Sequence, residues 1–559
     1  MNGMTLILIG TAFFVVAYLV YGRYLERLFG VDTSRKTPAH TQKDGVDYVP
    51  TKLPVLFGHH FASIAGAGPI VGPIAAAYLG WGPVALWIIF GCIFIGAVHD
   101  FAALFLSIRH EGRSIGYVIE EQLGYIGRLI FLVFCWVALV LVVAVFALLV
   151  AGTFVGKPAV ATSSLLFIIM APIFGFLVYR GKMGLLPASL IFVPLLFVSI
   201  WIGTELPLDL VTMWGQSAVW VKNFWIIVLF LYVFAASIMP VWMLLQPRDY
   251  LNSYLLYAML IAGFVGIIAA RPAFAMPAFV GWAADKPGGG IGTLFPILYV
   301  TVACGACSGF HALVSSGTTA KQLATECHMK PISYGAMLVE GLVALMALVS
   351  VAVLAPTDYA EKLIGEGKIV AFADGLASFT STVGIREDWA GVFFSLAISA
   401  FMLTTLDTAT RLTRFAWQEL FLPSAGHERD AVSPARRVFG HPVTATLLAV
   451  LAAGYLALSG NTGQIWPVFG ASNQLLAALT LLVVTLWLVA RKKNFWVALV
   501  PMVFMTAITV WALMNLLVRN LDGDTGSPAL VVATVVLLVM SMVLAVLAVF
   551  SLRKTTTTQ

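Results

Sequence analysis

Long apolar runs separated by short polar stretches occupy the chain from end to end. A window of about 20 apolar residues is the length that a transmembrane helix needs, and such windows predict fifteen spans. The spans are residues 4–22, 57–80, 83–108, 128–152, 161–179, 185–203, 222–246, 251–270, 291–318, 333–355, 388–410, 441–459, 464–490, 495–518 and 527–552. The pattern therefore predicts an all-α, polytopic membrane protein.

Two of these spans are interrupted by residues that disfavour a continuous helix. Residues 59–73, HHFASIAGAGPIVGP, combine glycines with Pro69 and Pro73, and proline lacks the N–H that an upstream carbonyl needs. Residues 301–319, TVACGACSGFHALVSSGTT, have a similar small-residue centre. Non-helical backbone at membrane depth is tolerated only where it is buried in protein or lines a cavity. Two interrupted spans far apart in one chain are typical of a transporter site.

Composition agrees with a membrane protein. Of the 559 residues 60% are hydrophobic and 10% are charged, and the mean hydropathy is +0.97, whereas a soluble domain carries about 25% charged residues. The net charge of +6 would favour a nucleic-acid partner in a soluble protein. Here the basic residues lie between apolar runs and indicate topology, so we expect the lipid bilayer as the partner and no nucleic acid.

The distribution of lysine and arginine predicts the orientation. With the N-terminus outside, most of the 32 lysines and arginines fall in cytoplasmic loops. Those left for the outward loops are Lys157, Lys222, Arg271, Lys286, Lys362, Lys368, Arg386 and Arg519. Because cytoplasmic loops are enriched in basic residues, we expect an outside N-terminus and a cytoplasmic C-terminus. Spans 57–80 and 291–318 then cross in opposite directions, as an inverted repeat requires.

The interruptions themselves are the first candidates for binding. Half-helix N-termini with free N–H groups favour an anion, and free carbonyls favour a cation. The candidate substrate-binding residues at the two interruptions are Ala65, Gly66, Ala67, Gly68, Ser308 and Gly309. The alternative is that these small residues only allow close helix packing, as in GxxxG seams.

Three histidines lie in the interrupted spans. His59 and His60 open the first, and His311 lies inside the second. Histidine has an unperturbed pKa of about 6.5 and can carry a proton, and it can equally bind a carboxylate or satisfy a helix terminus. We include all three as candidate substrate or proton contacts, and a structural role for His59 and His60 stays open.

Asp407 is the carboxylate with the strongest indication of an ion-coupling role. An unpaired charge within a span is expensive and marks a functional hypothesis, and the neighbouring hydroxyls of Thr404 and Thr405 could ligate a small cation. These three residues are the candidate coupling site. The structural alternative is an ion pair with Arg411, four residues further along the same helix.

Two further carboxylates fall inside spans. Asp100 lies in GAVHDFAALFLSIRH and is expected to pair with Arg109 or another basic residue. Glu340 lies in SYGAMLVEGLVALMAL, and pairing with a partner is expected there too.

Cys304 and Cys307 form a CxxC pair in the second interruption. In a soluble redox fold this spacing indicates thiol exchange, but a cysteine in a small-residue membrane segment is usually a compact apolar side chain. A zinc site that combines the two cysteines with His59 and His60 is an alternative that the spacing does not specify.

Longer motifs resemble the carbon starvation protein A family of bacterial inner-membrane transporters. They are HHFASIAGAGPIVGPIAAAYLGWGPVALWIIFGCIFIGAVHDFAALFLSIRHEGRSIG, ACGACSGFHALVSSGTTAKQL, FMLTTLDTATRLTRFAWQEL and IWPVFGASNQLLAALTL. The resemblance implies uptake of peptides or pyruvate when preferred carbon is scarce, with proton coupling in some members. We divide the chain into an N-terminal helix and cytoplasmic loop (1–56), the transporter core (57–490) and a C-terminal helix pair (491–559).

The first interrupted span and the one after it are also similar to the alanine–sodium symporters. This implies the amino acid–polyamine–organocation superfamily, whose core is a five-plus-five inverted repeat. Core helices one, six, eight and ten would be spans 57–80, 291–318, 388–410 and 464–490. Span 222–246, which contains Pro240, is the alternative for core helix six. In sodium-coupled relatives hydroxyls of core helix eight bind the ion, and Thr404 and Thr405 are the matching positions.

Together these observations predict a secondary active importer of small carboxylate-bearing nutrients, peptides or pyruvate, and not an enzyme. No cofactor is expected beyond a coupling proton or sodium ion. An ion channel would also need polar interruptions at membrane depth. An intramembrane redox or metal enzyme would use Cys304, Cys307 and the histidines. These two are the alternative functions.

Overall fold

The computed structural model describes all residues except 46–47, 182, 241–242, 366, 422–437, 460–461, 522–527 and 558–559. In the first half of the chain the α-helices are α1 Gly3–Leu19, α2 Tyr21–Phe29, α3 Pro38–Thr41, α4 Leu53–Ile64, α5 Gly68–Ala76, α6 Trp81–Gly91, α7 Ala97–Arg109, α8 Ile115–Gly156, α9 Pro158–Tyr179, α10 Leu185–Glu205, α11 Leu210–Trp214, α12 Ala218–Ile238 and α13 Leu245–Ala270.

In the second half they are α14 Tyr299–Thr301, α15 Phe310–Val314, α16 Ala320–Gln322, α17 Ala336–Ala352, α18 Pro356–Gly365, α19 Lys368–Ser381, α20 Glu387–Leu420, α21 Pro442–Leu458, α22 Thr462–Ala490, α23 Trp496–Leu521 and α24 Pro528–Thr557. The π-helical segments are Cys92–Gly96, Leu294–Leu298, Ser315–Thr319 and Lys330–Gly335, and the 3-10 turns are Ala77–Leu79 and Glu326–His328. An antiparallel hairpin pairs β1 Ala283–Asp285 with β2 Ile291–Thr293.

The all-α, polytopic prediction is confirmed. Within the described residues, twelve helices are long and apolar enough to cross a membrane, and a bent pair raises the number to thirteen. That pair joins α4 to the segment that begins with α5, at an angle of 42°. The two other predicted spans correspond to α21, an apolar helix of 17 residues, and to the interrupted stretch 294–322. The number of crossings and the inverted repeat remain predictions.

The segment around Pro240 differs from its prediction. A span over 222–246 interrupted at Pro240 was the alternative for core helix six, but α12 is continuous and ends at Ile238, with Met239 extended. Pro240 therefore lies in the connection to α13, where its missing N–H breaks no helix. The residues that follow, from Leu245 onwards, belong to α13.

The helices separate into a buried centre and an outer rim. In α20, and in the stretch from Trp81 to Arg109, 89% of the most apolar window is buried, against 33% in α10. Rim helices expose large apolar side chains such as Leu190 and Leu231. Lipid tails are as apolar as leucine, so this exposure carries no cost in a bilayer.

Small residues let the central backbones approach one another closely. A Cβ on Gly72 of α5 would lie 2.7 Å from the carbonyl oxygen of Thr301, and one on Gly470 of α22 would lie 2.3 Å from that of Val300. Both distances are shorter than a carbon–oxygen contact allows. Glycine is therefore required for α5 and α22 to pack directly on the interrupted segment.

We expect Gly470→Ala to lower the apparent unfolding temperature of the purified protein in detergent. The added methyl group would collide with the Val300 carbonyl, and overpacking of this kind costs about 1–3 kcal/mol. Gly454→Ala in α21 is the matched control, because its Cβ would have no neighbour nearer than 3.7 Å and it gains the same helix propensity. An equal response of the two variants in a thermal unfolding assay would contradict the packing argument.

Candidate functional site

The first interruption is a sharp turn between α4 and α5. The amide of Ala65 donates the last helical hydrogen bond of α4, to the Phe61 carbonyl at 2.8 Å. The amide of Gly66 donates to the Ile64 carbonyl at 2.8 Å, which forms the turn. Glycine and proline at 68–69 then start α5, where proline in the first turn removes only an amide that has no partner in the helix. The predicted residues from 65 to 68 are all buried here.

The second interruption spans residues 302–309, between α14 and α15. Asn473 of α22 provides hydrogen-bond partners for residues of this interruption. Its side-chain oxygen accepts from the Phe310 amide at 2.9 Å, and its backbone carbonyl accepts from the Gly309 amide at 3.0 Å. Its side-chain nitrogen donates to the Ser308 hydroxyl at 3.0 Å. The amide of Gly309, which the sequence predicts as an anion ligand, thus has a partner within the protein.

The two interruptions lie against each other, and we call their contact the break junction (residues 65–68 and 302–309). A Cβ on Gly68 would lie 2.3 Å from the Cβ of Cys304. Both Cys304 and Cys307 are buried and free, and Asn473 donates to the Cys304 sulfur at 3.3 Å. Among the described residues, no group of three or more His, Cys, Asp and Glu side chains is arranged to hold a metal ion.

A histidine–carboxylate cluster lies next to the break junction and consists of His99, Asp100, His311 and Glu340. Asp100 receives His311 Nδ1 at 2.8 Å on one oxygen and His99 Nδ1 at 2.7 Å on the other. His311 Nε2 lies 3.4 Å from Glu340 Oε2, within ion-pair range but long for a hydrogen bond. All four side chains are fully buried.

Asp100 was predicted to pair with Arg109 or with another basic residue. Arg109 is not its partner, and the residues that bind Asp100 are two histidines. Arg109 instead binds Glu326, with Nη2 at 3.0 Å from Oε2. Asp100 lies further inside the bundle and meets the imidazoles of His99 and His311.

A second polar group, the Arg248 cluster, joins α12, α13 and α20. Arg248 forms a fully buried ion pair with Asp407, and the Tyr232 hydroxyl donates to the same carboxylate oxygen at 2.8 Å. The intrahelical pair of Asp407 with Arg411 is therefore wrong. Arg411 donates to the carbonyls at the end of α12, at 2.9 Å and 2.7 Å.

The two histidines of α4 have different partners. His59 Nδ1 lies 2.9 Å from Asp249 of α13. His60 Nδ1 lies 2.8 Å from the hydroxyl of Thr319, in the second interrupted segment. His59 therefore ties α4 to the helix that carries Arg248, while His60 connects the two interrupted segments directly.

The predicted hydroxyls of α20 face the first interruption from the other side. Thr405 donates to the Ser63 carbonyl, at the end of α4, at 3.3 Å. Thr404 accepts from Asn252 of α13 at 2.5 Å and donates to the Ala400 carbonyl at 3.1 Å. Of the predicted coupling residues, Thr405 thus contacts α4, whereas Thr404 and Asp407 contact α13. His311 lies in the separate histidine–carboxylate cluster.

Several site residues were missed by the sequence reasoning. The predicted spans left Arg248, Asp249 and Asn252 in or beside a loop. The polar run QPRDYLNSY next to an apolar stretch could have indicated these residues. Asn473 was also missed, although it is a polar residue in the apolar segment FGASNQLLAALT. A buried amide or guanidinium in a span needs a partner, but the neighbouring sequence does not indicate which residue that partner is.

A cavity of about 490 Å³, the vestibule, opens near the ends of α7 and α20 and reaches the second interrupted segment. Its walls carry Arg113, Lys321 and Glu419 near the mouth, and Leu313 and Ser316 further in. A smaller cavity of about 30 Å³ shares Lys321 with it and is lined by His59, Thr318 and Thr408 among others.

Comparison with known proteins identifies the family. The model described as carbon starvation protein CstA matches residues 2–365 and 361–512. The peptide transporter CstA of Escherichia coli (strain K12) is 35% identical over 91% of this chain and 80% of its own. The pyruvate/proton symporter BtsT of the same strain is 32% identical over 92% and 81%, and the peptide transporter CstA of Bacillus subtilis (strain 168) is 33% identical over 98% and 97%. The chain is a multi-pass membrane protein that belongs to the carbon starvation protein CstA family.

Proposed function

We propose that this protein is a secondary active importer of short peptides or pyruvate in the bacterial inner membrane, driven by a coupling ion during carbon starvation. Two relatives are named peptide transporters and a third a pyruvate/proton symporter. Peptides and pyruvate share a carboxylate, and such a group is the anion that the end of an interrupted helix can hold.

The observation that carries this proposal is the break junction. Two interrupted segments pack directly on each other at the centre of the bundle, where free backbone groups would be very costly without a purpose. The proposed substrate contacts are His59, His60, Ala65, Gly66, Ala67, Gly68, Ser308, Gly309 and His311. The amides of Gly309 and Phe310 are bonded to Asn473, and those of Ala65 and Gly66 are bonded to Phe61 and Ile64. The amides at Ala67 and Gly68 would therefore supply the backbone contacts to the carboxylate.

The vestibule would be the access route on one side of the membrane. With the N-terminus outside, as the basic residues predict, this mouth is cytoplasmic. Leu139 lines the vestibule and also a crevice beside Phe310 and Asn473, so it would separate the vestibule from the break junction. Arg113 and Lys321 on the wall favour an anionic substrate.

Coupling would act through α20. Thr405 contacts the end of α4 and Asp407 holds Arg248 of α13, so a change at either contact alters how α20 meets the first interrupted helix. Thr404, Thr405 and Asp407 offer oxygen ligands to a sodium ion. A proton is the other candidate ion, and the printed name of one relative includes it.

Proteoliposomes test the function directly. With an inward proton or sodium gradient, we expect labelled pyruvate or a labelled dipeptide to accumulate above its outside concentration, because a symporter uses the ion gradient to drive uptake. The ion whose gradient drives accumulation identifies the coupling ion. Equilibration without accumulation, together with unitary currents in planar bilayers, would instead indicate a channel, and the absence of any flux of either compound would contradict the proposal.

Asp407→Asn should reduce gradient-driven uptake by about tenfold or more, since removing one partner of a buried ion pair leaves an uncompensated charge that costs roughly 3–5 kcal/mol. Asp388→Asn, in the same helix, is the matched control. Its pair with Arg386 is exposed, and such pairs contribute little.

The double variant Arg248→Gln/Asp407→Asn separates folding from coupling. Removing both charges should recover the yield of monodisperse protein, while gradient-driven uptake stays low. Wild-type uptake by Asp407→Asn would remove this residue from the coupling site.

A further inference from the structure

We propose that the histidine–carboxylate cluster is a proton-binding site, with Glu340 as the group that takes up and releases the proton. The inference rests on the proposed function, because the bound proton would be the coupling ion of that transport. It places the proton apart from Asp407, whose charge Arg248 already compensates and whose part in coupling would be the contact between α20 and α13.

The charges within the cluster do not balance without an added proton. Asp100 and Glu340 are both completely buried, and the ion pairs they form in the described part of the chain are with imidazoles, not with lysine or arginine. If only His311 is protonated, one negative charge remains uncompensated in a bilayer-embedded core, which is expensive. One more proton makes the cluster neutral.

The hydrogen bonds of the cluster indicate where this additional proton would bind. Both oxygens of Asp100 have an imidazole partner within 2.8 Å, whereas neither oxygen of Glu340 has a hydrogen-bond partner among the described residues. His311 Nε2, which lies 3.4 Å away, has none either. An unpaired carboxylate in such a place is costly, so Glu340 is the carboxylate of the cluster that a proton stabilises most.

In the described part of the chain, the groups outside the cluster that interact electrostatically with its members carry no fixed positive charge. They are His60 of α4, Cys92 of the π-helical segment before α7, and Cys304 and Cys307 of the second interrupted segment. These are imidazoles and thiols. The charge of Glu340 is therefore governed by the proton and by whatever anion is bound nearby.

A chain of polar groups leads from the cluster towards the vestibule. His60 interacts electrostatically with Asp100 and His311, and its Nδ1 is bonded to Thr319. The next residue, Thr318, lines the small cavity together with His59. That cavity shares Gly317 with the vestibule. Exchange of the proton with one side of the membrane would follow these side chains and the two cavities.

The position of the cluster also explains why a proton and an anion would be carried together. His311 follows Gly309 by two residues in the segment that forms the break junction. A substrate carboxylate at the junction would favour the protonated cluster, and by linkage the proton would raise the affinity for the anion by the same factor. With a monoanion such as pyruvate, the substrate and the proton together cross the bilayer with no net charge.

Infrared spectroscopy of the purified protein tests proton binding without any substrate. We expect a protonated-carboxyl C=O band that titrates with pH in the wild type, is absent in Glu340→Gln, and persists in shifted form in Glu340→Asp. Glu361→Gln changes an exposed acid in the same way and should leave the band unchanged. A difference band that is identical in the wild type and Glu340→Gln would overturn the assignment.

Transport measurements test the coupling. In Glu340→Gln proteoliposomes we expect proton-driven accumulation of labelled pyruvate or dipeptide to fall at least tenfold, while counterflow exchange of the same compound falls far less. Glu340→Asp should restore part of the pH dependence. Equal loss of accumulation and exchange in a monodisperse variant, or wild-type accumulation, would overturn the inference. Wild-type vesicles that transport neither compound would refute the proposed function, and the infrared result would still decide the proton site.

Discussion

The demand that every backbone polar group inside a membrane be satisfied shapes the centre of this protein. Continuous helices satisfy their backbone groups with hydrogen bonds inside each helix, but the two interrupted segments cannot. At the second interruption, Asn473 of α22 accepts hydrogen bonds from the amides of Gly309 and Phe310. Glycines then bring the neighbouring backbones close enough to exclude lipid. The interruptions are thus held in place by the helices that surround them.

Three buried carboxylates show three degrees of charge compensation. Asp407 has a guanidinium and a tyrosine hydroxyl, and Asp100 has two imidazoles. Within the described residues, the one ion-pair partner of Glu340 is the imidazole of His311, at 3.4 Å. Since an incompletely paired charge is the one whose state changes most readily, this gradation supports Glu340, and not Asp407, as the carboxylate proposed to exchange a proton.

Much of the architecture was predictable from the sequence, because hydropathy acts over windows of about 20 residues. The interruptions at 59–73 and 301–319 were visible for a similar local reason, since glycine and proline act on their own turn of helix. The prediction of a helix interrupted at Pro240 failed because proline is equally common in a connection between two helices. The end of α12 at Ile238 shows that Pro240 lies in such a connection.

The sequence by itself determined the membrane class, the helical spans, the interruptions and the family resemblance, all of which are encoded locally or in contiguous motifs. The tertiary structure decided which polar groups meet. Arg248 and Asp407 are 159 residues apart, and Asp100 and His311 are 211 apart. A buried charge states only that it needs a partner. Which residue serves depends on how the helices pack, so His311 proved to bridge two carboxylates and Asp407 to bind a distant arginine.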